Sequence, residues 1–398
     1  MTSSPVTLDG RGSRIAQHEY DALLGEVTRW VRGPGEEWAD RIEQTGTVPA
    51  ELFDELKTHG YLSMAAPPEL GGRGLSFPQW MGLMEVFSRS HASIRMLVHV
   101  LNGTWRAINP HVTAEQRDRF VRPMVAGDLL AAFTLTEPGN GTGADLTCTV
   151  RCEGDVYLLN GRKHLITFGV SCDVWLLFAR LAGTTGKDGV VALLVDRHAP
   201  GVQVDDTSQT MGVRGTDHAS LTFTDTPVPV DRRVGAEGDG LAIALGGFLT
   251  PSRISVAMSC VGLAERAQEL AVEYATSRVT FGKPIAARQA IAFMIAENEA
   301  DIQAAKQLVL HAAREWEADA ADAATLSSMA KMTAVDMLTR VTDKALQVHG
   351  GVGYWKTSTI ERVYRDARAQ RFEEGTNEIQ KTVVARDVFA KARERKSL

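Results

Sequence analysis

The sequence predicts an α+β fold in three parts: an N-terminal α-helical domain (residues 1–130), a middle β domain (131–238) and a C-terminal α-helical bundle (239–398). Three observations predict it. From about Glu19 to Ala126, apolar residues recur three and four apart; short β-rich runs separated by Gly, Asn and Asp follow; and long helical stripes resume after GAEGDG, Gly235 to Gly240. At 398 residues the chain is also too long for one small core, so two or three domains are expected.

The elements follow in order. YDALLGEVTRWV, PAELFDELKTHGY, PQWMGLMEVFSRS and AEQRDRFVRPMVAG each carry the helical period, and Pro49 and Gly60 bracket one of them as a start and a stop. DVYLLNGRKHLI, DVWLLFARL, GVVALLVD and ASLTFTDTPVPV read as strands of a sheet or small barrel. In the last part Ile254, Met258, Val261 and Ala264 form one stripe. Ile291, Ile295, Ile302, Ala305 and Val309 form a second, and Met329, Met337, Val341, Ala345 and Val348 a third that ends at Gly350-Gly351. Stripes of this length predict a helix bundle.

Composition narrows the function. Hydrophobic residues make up 44% and charged residues 23%, and the formal net charge is -6 with no long basic run, so neither nucleic acid nor an anionic membrane is an expected partner. Four cysteines, Cys148, Cys152, Cys172 and Cys260, show no CxxC spacing; a reducing cytoplasm is expected, and no metal site. The first twenty residues lack a basic segment followed by an apolar one, and no apolar run reaches the length of a membrane span.

Several stretches offer chemistry, each with a plain structural alternative. No GxGxxG follows a strand and no GxxxxGK[ST] occurs, so a bound nucleotide needs another cradle. TEPGNGTGAD (Thr136 to Asp145) is a turn, or a set of amides and hydroxyls from Thr136 and Thr142 facing a polar ring or phosphate. SRVTFGKPI (Ser277 to Ile285) is a helix corner, or a site where Arg278 meets a phosphate and Phe281 covers a base. HGGVGYW (His349 to Trp355) is a helix stop or an anion site, and ERVYRDARAQ (Glu361 to Gln370) a salt-bridged helical face. RFEEGTNEIQ (Arg371 to Gln380) sets Glu373 and Glu374 against Gly375: a capped helix start, or a carboxylate projecting from a bend as a base. Met96, Val100 and Trp105 are candidates for an acyl pocket or for core, and His91 and His99 read as structural.

In order and spacing these stretches, with APPELGGRGLS, NGRKHLIT, FTDTPVPVDRRVGAEGDG, RVTFGKPIAARQ and QVHGGVGY, resemble the acyl-CoA dehydrogenase family of flavoproteins over nearly the whole chain. The resemblance implies an acyl-CoA dehydrogenase-like fold ending in a four-helix bundle, commonly assembled as a homotetramer in which a neighbouring subunit completes the flavin site. It implies FAD lined by Leu135, Thr136, Thr142, Ile166 and Thr167, with Arg278, Phe281, Gln289, Gln347, Gly350 and Gly351 holding its adenosine and pyrophosphate. Thr376 and Glu378 would touch the cofactor, Gly375 and Arg253 would lie at the substrate, and Glu374 would be the base. The implied reaction removes the α-proton of an acyl thioester, carried by CoA or by a carrier protein, while hydride leaves the β-carbon for the flavin; an electron-transferring flavoprotein is the usual acceptor.

Departures from the family pattern are specific. Leu165 stands where an aromatic ring is usual, Phe168 where Asn is usual, and Gly143 where Asp is common; the first puts the usual acceptor in question. One variant of the family carries its base just before an arginine, but here that pair is Ser252-Arg253, which leaves Glu374. The rival functions are a flavin oxidase or monooxygenase of the same fold, and a cofactor-free binding scaffold.

Overall fold

A computed structural model describes residues 7–140 and 145–397. The N-terminal part holds α1 (Gln17–Arg32), α2 (Pro34–Thr45), α3 (Ala50–Thr58), α4 (Phe77–Phe87) and α5 (Ala92–Ile108). A capping box starts α4: the Ser76 hydroxyl accepts from the Gln79 amide and the Gln79 side chain accepts from the Ser76 amide. His91 caps α5, its Nδ1 accepting from the Ser93 amide at 3.1 Å, while its Nε2 lies 3.2 Å from Glu43 Oε1. That contact gives His91 the structural role expected of it. Every residue of α5 except Gly103 is buried, including Arg95, His99 and Arg106. A helix enclosed on all sides with three basic side chains requires partners for them, and those partners define the site.

The middle sheet consists of β1 (Ala131–Thr134), β2 (Thr149–Glu153), β3 (Val156–Thr167), β4 (Val174–Leu181), β5 (Val190–Asp196), β6 (Val202–Asp206), β7 (His218–Pro229) and β8 (Arg233–Val234). Its order is β6-β7-β3-β2-β4-β5-β8, with β1 also on β4. Both β1 and β2 run parallel to β4, β1 along its first half (Ala131 beside Val174) and β2 at its end (Thr149 beside Arg180); the other pairings are antiparallel. Strands β4 and β5 read as unbroken apolar runs because both faces are covered. Trp175, Leu177 and Leu193 enter one cluster, while Leu176, Phe178 and Leu194 enter another that includes residues of α5. Stacking of Phe133 on Phe248, with ring centroids 4.1 Å apart, joins this second face to the start of the C-terminal part.

That part comprises α6 (Thr250–Ser277), a short hairpin of β9 (Val279–Thr280) and β10 (Lys283–Pro284), α7 (Gln289–Glu317), α8 (Ala323–His349), α9 (Thr359–Ala369) and α10 (Asn377–Ser397). The three expected stripes face the core: all four residues of the first are buried, as are Ile302, Ala305, Val309, Met337, Val341, Ala345 and Val348, with Ile291, Ile295 and Met329 half-buried. Helix α6 crosses α4 so closely that a Cβ on Gly262 would sit 2.0 Å from the Glu85 carbonyl oxygen.

One expectation needs correcting. The helical stretch Gly240–Ser277 is long and apolar enough to cross a membrane, although no uninterrupted apolar run announced it. Ser252, Arg253, Ser255 and Ser259 break its apolar residues into short runs, yet most of the stretch is buried against its neighbours, as befits the core helix of the bundle.

Candidate active site

Residues 371–376 connect α9 to α10, and two of them turn the chain sharply. Glu374 has φ 53 and Gly375 φ 91, consecutive left-handed residues of which only the second is glycine. A non-glycine residue in that region costs on the order of 1–3 kcal/mol and persists only where its surroundings impose it. Here they do. Lys331, fully buried on α8, donates from Nζ to Gly375 O at 2.7 Å and to Arg371 O at 3.4 Å. Gln380 Nε2 donates to the carbonyls of Glu374 and Gly375 at 3.0 and 3.1 Å, and Arg253 Nε donates to Glu374 O at 3.2 Å. Burial pushes the Lys331 ammonium below its ordinary pKa, against the neighbouring Cys260, Glu373 and Glu374.

The Glu374 carboxylate faces α5 and α6. Ser252 Oγ donates to its Oε1 at 2.6 Å; His99 Nε2 lies 2.9 Å from Ser252 Oγ and 3.9 Å from the same Oε1. An ionised carboxylate only accepts, so the serine proton points to Glu374 and the serine lone pair receives the His99 Nε2 proton. The side chain is 16% exposed. Among the described residues the Glu374 amide N–H makes no hydrogen bond, which leaves a donor beside the carboxylate.

Glu373, one residue earlier, is committed elsewhere. Both of its oxygens accept from Arg95, NH1 and NH2 each at 2.9 Å, in a bidentate pair at the first turn of α5. Burial pushes the Glu373 carboxyl up, but the Arg95 guanidinium outweighs it and holds the group below the usual carboxylate range. The two adjacent glutamates are thus separated by role: one anchors the loop and the other is presented.

A narrow pocket continues away from Ser252 between α5 and α6. It is lined by Trp80, His99, Gly103, Arg106, Phe248, Pro251, Ser252 and Ser255. The wall on α5 is therefore the face of His99, Gly103 and Arg106, whereas Met96, Val100 and Trp105 belong to the hydrophobic cores on its other sides.

The sequence matches three family profiles in succession, the N-terminal domain (residues 17–128), middle domain (132–226) and C-terminal domain (238–389) of acyl-CoA dehydrogenase. The chain belongs to the acyl-CoA dehydrogenase family. Among curated relatives it is 35% identical over 354 residues to an acyl-CoA dehydrogenase of Bacillus subtilis (strain 168), covering 87% of this chain and 92% of that one. It is likewise 35% identical over 350 residues to a subunit of the caffeyl-CoA reductase-Etf complex of Acetobacterium woodii, covering 87% and 91%. Among solved structures, the butyryl-CoA dehydrogenase of Megasphaera elsdenii superposes with a TM-score of 0.89 at 30% identity, covering 94% of this chain and 99% of that one.

As a member of this family the chain is an FAD-dependent oxidoreductase, and its residues fit that cofactor. The His164 amide donates to Thr136 O at 2.9 Å, bringing the end of β1 against β3 where the β3–β7 register shifts between Lys163 and Ile166. Leu135 and Ile166 are buried there, Thr136 and Thr167 half-buried, and neither threonine hydroxyl has a hydrogen-bond partner among the described residues. A half-buried ledge with uncommitted hydroxyls suits a flat polar ring. Leu165 and Phe168, two of the three departures, both have positive φ, 56 and 57, but Leu165 is 57% exposed and Phe168 is core. Thr142 and Gly143 lie outside the described residues.

The acyl-CoA dehydrogenase residues expected at the adenosine and pyrophosphate gather at a different place. Because α6, α7 and α8 alternate in direction, the end of α6, the start of α7 and the end of α8 share one end of the bundle, tied by the Tyr274–His349 ring stack at 4.7 Å. Arg278, Phe281, Gln289, Gln347, Gly350 and Gly351 all lie exposed there, Phe281 at 97%. No hydrogen bond or ring contact joins them to the Thr136 ledge among the described residues. Thr376 and Glu378 begin α10; the backbone amide and the Thr376 hydroxyl hold the exposed Glu378 carboxyl below its ordinary range.

His99, Ser252 and Arg95 were not singled out as site residues by sequence. The available signal was Arg95 and His99, four apart among apolar neighbours on α5, and Ser252 two residues before the first apolar stripe of α6.

Proposed function

We propose that the chain catalyses α,β-dehydrogenation of an acyl thioester to the trans-2-enoyl thioester, with Glu374 as the base. The single observation that carries this reading is a carboxylate imposed on a left-handed turn, bonded to Ser252 with His99 behind it, beside its own free amide. Bound FAD supplies the acceptor for the β-hydride. The chain's residues do the rest.

A thioester α-hydrogen is too weak an acid for a free carboxylate, so negative charge developing on the carbonyl oxygen needs donors already in place. The Glu374 N–H is such a donor. Ser252 and His99 fix the carboxylate's orientation without protonating it, and enclosure between α5, α6 and the loop excludes water that would otherwise solvate the base. As the proton moves to Glu374, the Cα–H electron pair forms the new C=C bond and the Cβ–H pair leaves as hydride.

The names of the relatives support CoA thioesters as substrates, and a carrier-protein thioester presents the same reacting atoms. The relative from an Etf complex supports an electron-transferring flavoprotein as acceptor, although Leu165 removes the usual ring. The exposed bundle end, with Val279, Phe281, Phe293, Val352, Tyr354 and Trp355 uncovered, supports a homotetramer in which one subunit's bundle end supplies the adenosine site beside another's Thr136 ledge. The presented carboxylate argues against a monooxygenase of the same fold, whereas an oxidase would need the same base and differ in passing the flavin's electrons to oxygen.

The test is anaerobic. Acyl-CoA thioesters added to the yellow protein should bleach its flavin, and Glu374→Gln should keep the flavin but slow bleaching by roughly 10²–10⁴-fold. Unchanged bleaching by that variant would remove Glu374 as the base.

A further inference from the structure

Arg106 lines the same pocket as Ser252. It is 4% exposed. Its Nε donates to Asp9 O at 3.0 Å, and its guanidinium packs over the rings of Phe77, Trp105 and Trp316 at 5.1 to 5.4 Å. Neither terminal nitrogen makes a hydrogen bond among the described residues. The carboxylates that could have paired with it are engaged otherwise: Asp9 with Arg11 (2.9 Å), and Glu317 with the amides of Gly12 and Phe77 (2.7 and 2.9 Å). Burial pulls the guanidinium down to about 10, against the fields of Asp9 and Glu317, so it stays charged at neutral pH.

A buried cation with two uncommitted donor groups is expensive unless something else meets it. The pocket, about 10 Å³ as it stands and so no larger than one water, brings His99, Gly103, Ser252 and Arg106 to one cleft that must widen to admit a chain. His99, Gly103 and Arg106 occupy one face of α5, and a Cβ on Gly103 would meet nothing within 4 Å, so the space between the other two is open. From His99 to Arg106 the helix rises about 10 Å. Ser252 and Ser255 line the opposite wall, with Trp80 and Phe248 also lining the pocket. Ser252 is bonded to Glu374 and His99, and Ser255 to the Pro251 carbonyl, so a purely apolar acyl tail would leave the Arg106 terminal nitrogens as the unpaired polar groups of the pocket.

We propose that this pocket receives the tail of an acyl chain ending in a carboxylate, with Arg106 as the residue that reads it. The proposal rests on the dehydrogenase reading and adds the class of substrate to it. Arg106 lies beyond the reacting carbons and takes no part in proton or hydride transfer; it selects through a charge-assisted hydrogen bond within the pocket.

The experiment uses the purified holoprotein and two matched series of thioesters, ω-carboxyacyl-CoAs from glutaryl to sebacyl and the monocarboxylic acyl-CoAs of equal length, with anaerobic flavin bleaching and steady-state kcat/KM as readouts. The expected result is an optimum in the dicarboxylic series favoured by roughly ten- to a hundredfold over its monocarboxylic partner, the value of one hydrogen bond to a charged group. Arg106→Gln should erase that ratio, chiefly through KM, and Arg106→Lys should restore part of it. Calorimetric titration with the enoyl products should show the same loss without turnover. Equal or better use of the monocarboxylic series by the unaltered protein would overturn the proposal while leaving the dehydrogenase reading intact. Failure of every thioester to bleach the flavin would overturn both.

Discussion

Ser252 Oγ donates to Glu374 Oε1 at 2.6 Å across the gap between α6 and the loop before α10. This bond joins the helix that forms the bundle core to the residue proposed to do the chemistry, and it makes Ser252 a positioning residue. Ser252→Ala should lower kcat by roughly ten- to a hundredfold, the cost of one hydrogen bond to a charged group, with flavin content unchanged. Because the serine orients the carboxylate and does not hold the thioester, the loss should fall on kcat with KM little changed. A loss confined to KM would mean that the serine only packs.

The Arg95–Glu373 pair is buried at the first turn of α5. Removing one partner strands the other, so Arg95→Met and Glu373→Gln should each destabilise the protein by about 3–5 kcal/mol in denaturant unfolding. The double variant Arg95→Met/Glu373→Leu should recover much of that loss, since an apolar pair of similar volume avoids the desolvation cost. Additive losses in the double variant would contradict the pairing.

Acid should weaken the junction of α2, α5 and α9. Burial raises the Glu43 carboxyl, but hydrogen bonds from His91 and Arg365, with their charges, bring it down to about 2 from 4.5. A carboxyl depressed in the folded state stabilises above its unfolded pKa, and that stabilisation disappears as pH falls through the folded value. Glu373 has the same sign. Tm should therefore fall between about pH 4.5 and pH 2, and Glu43→Gln should flatten that slope in a calorimetric series.

Close helix contact is a further test of the fold. Gly262→Ala places a methyl group 2.0 Å from the Glu85 carbonyl oxygen, so α4 and α6 must separate. A loss of at least about 1–3 kcal/mol is expected, measured as a lower urea midpoint with an unchanged m-value. An alanine variant as stable as the parent would show that the helices do not approach this closely.

Periodicity and turn chemistry in the sequence determined the helix–sheet–helix order and the three core stripes of the bundle; the choice of Glu374 over Glu373 came from the resemblance to the family, since the residues alone left a capped helix start open. Tertiary structure alone decided how the site is completed. His99 looked structural and Ser252 looked like an empty place, yet α5 and α6 bring them to Glu374 from positions 153 residues apart. Met96, Val100 and Trp105 seemed as near the pocket as their neighbours, but the rotation of α5 turned His99, Gly103 and Arg106 to it instead. The physical reason is that a strand or helix is specified by residues within a few positions of one another, whereas a buried charge is settled by whichever distant groups the packing brings within hydrogen-bond reach.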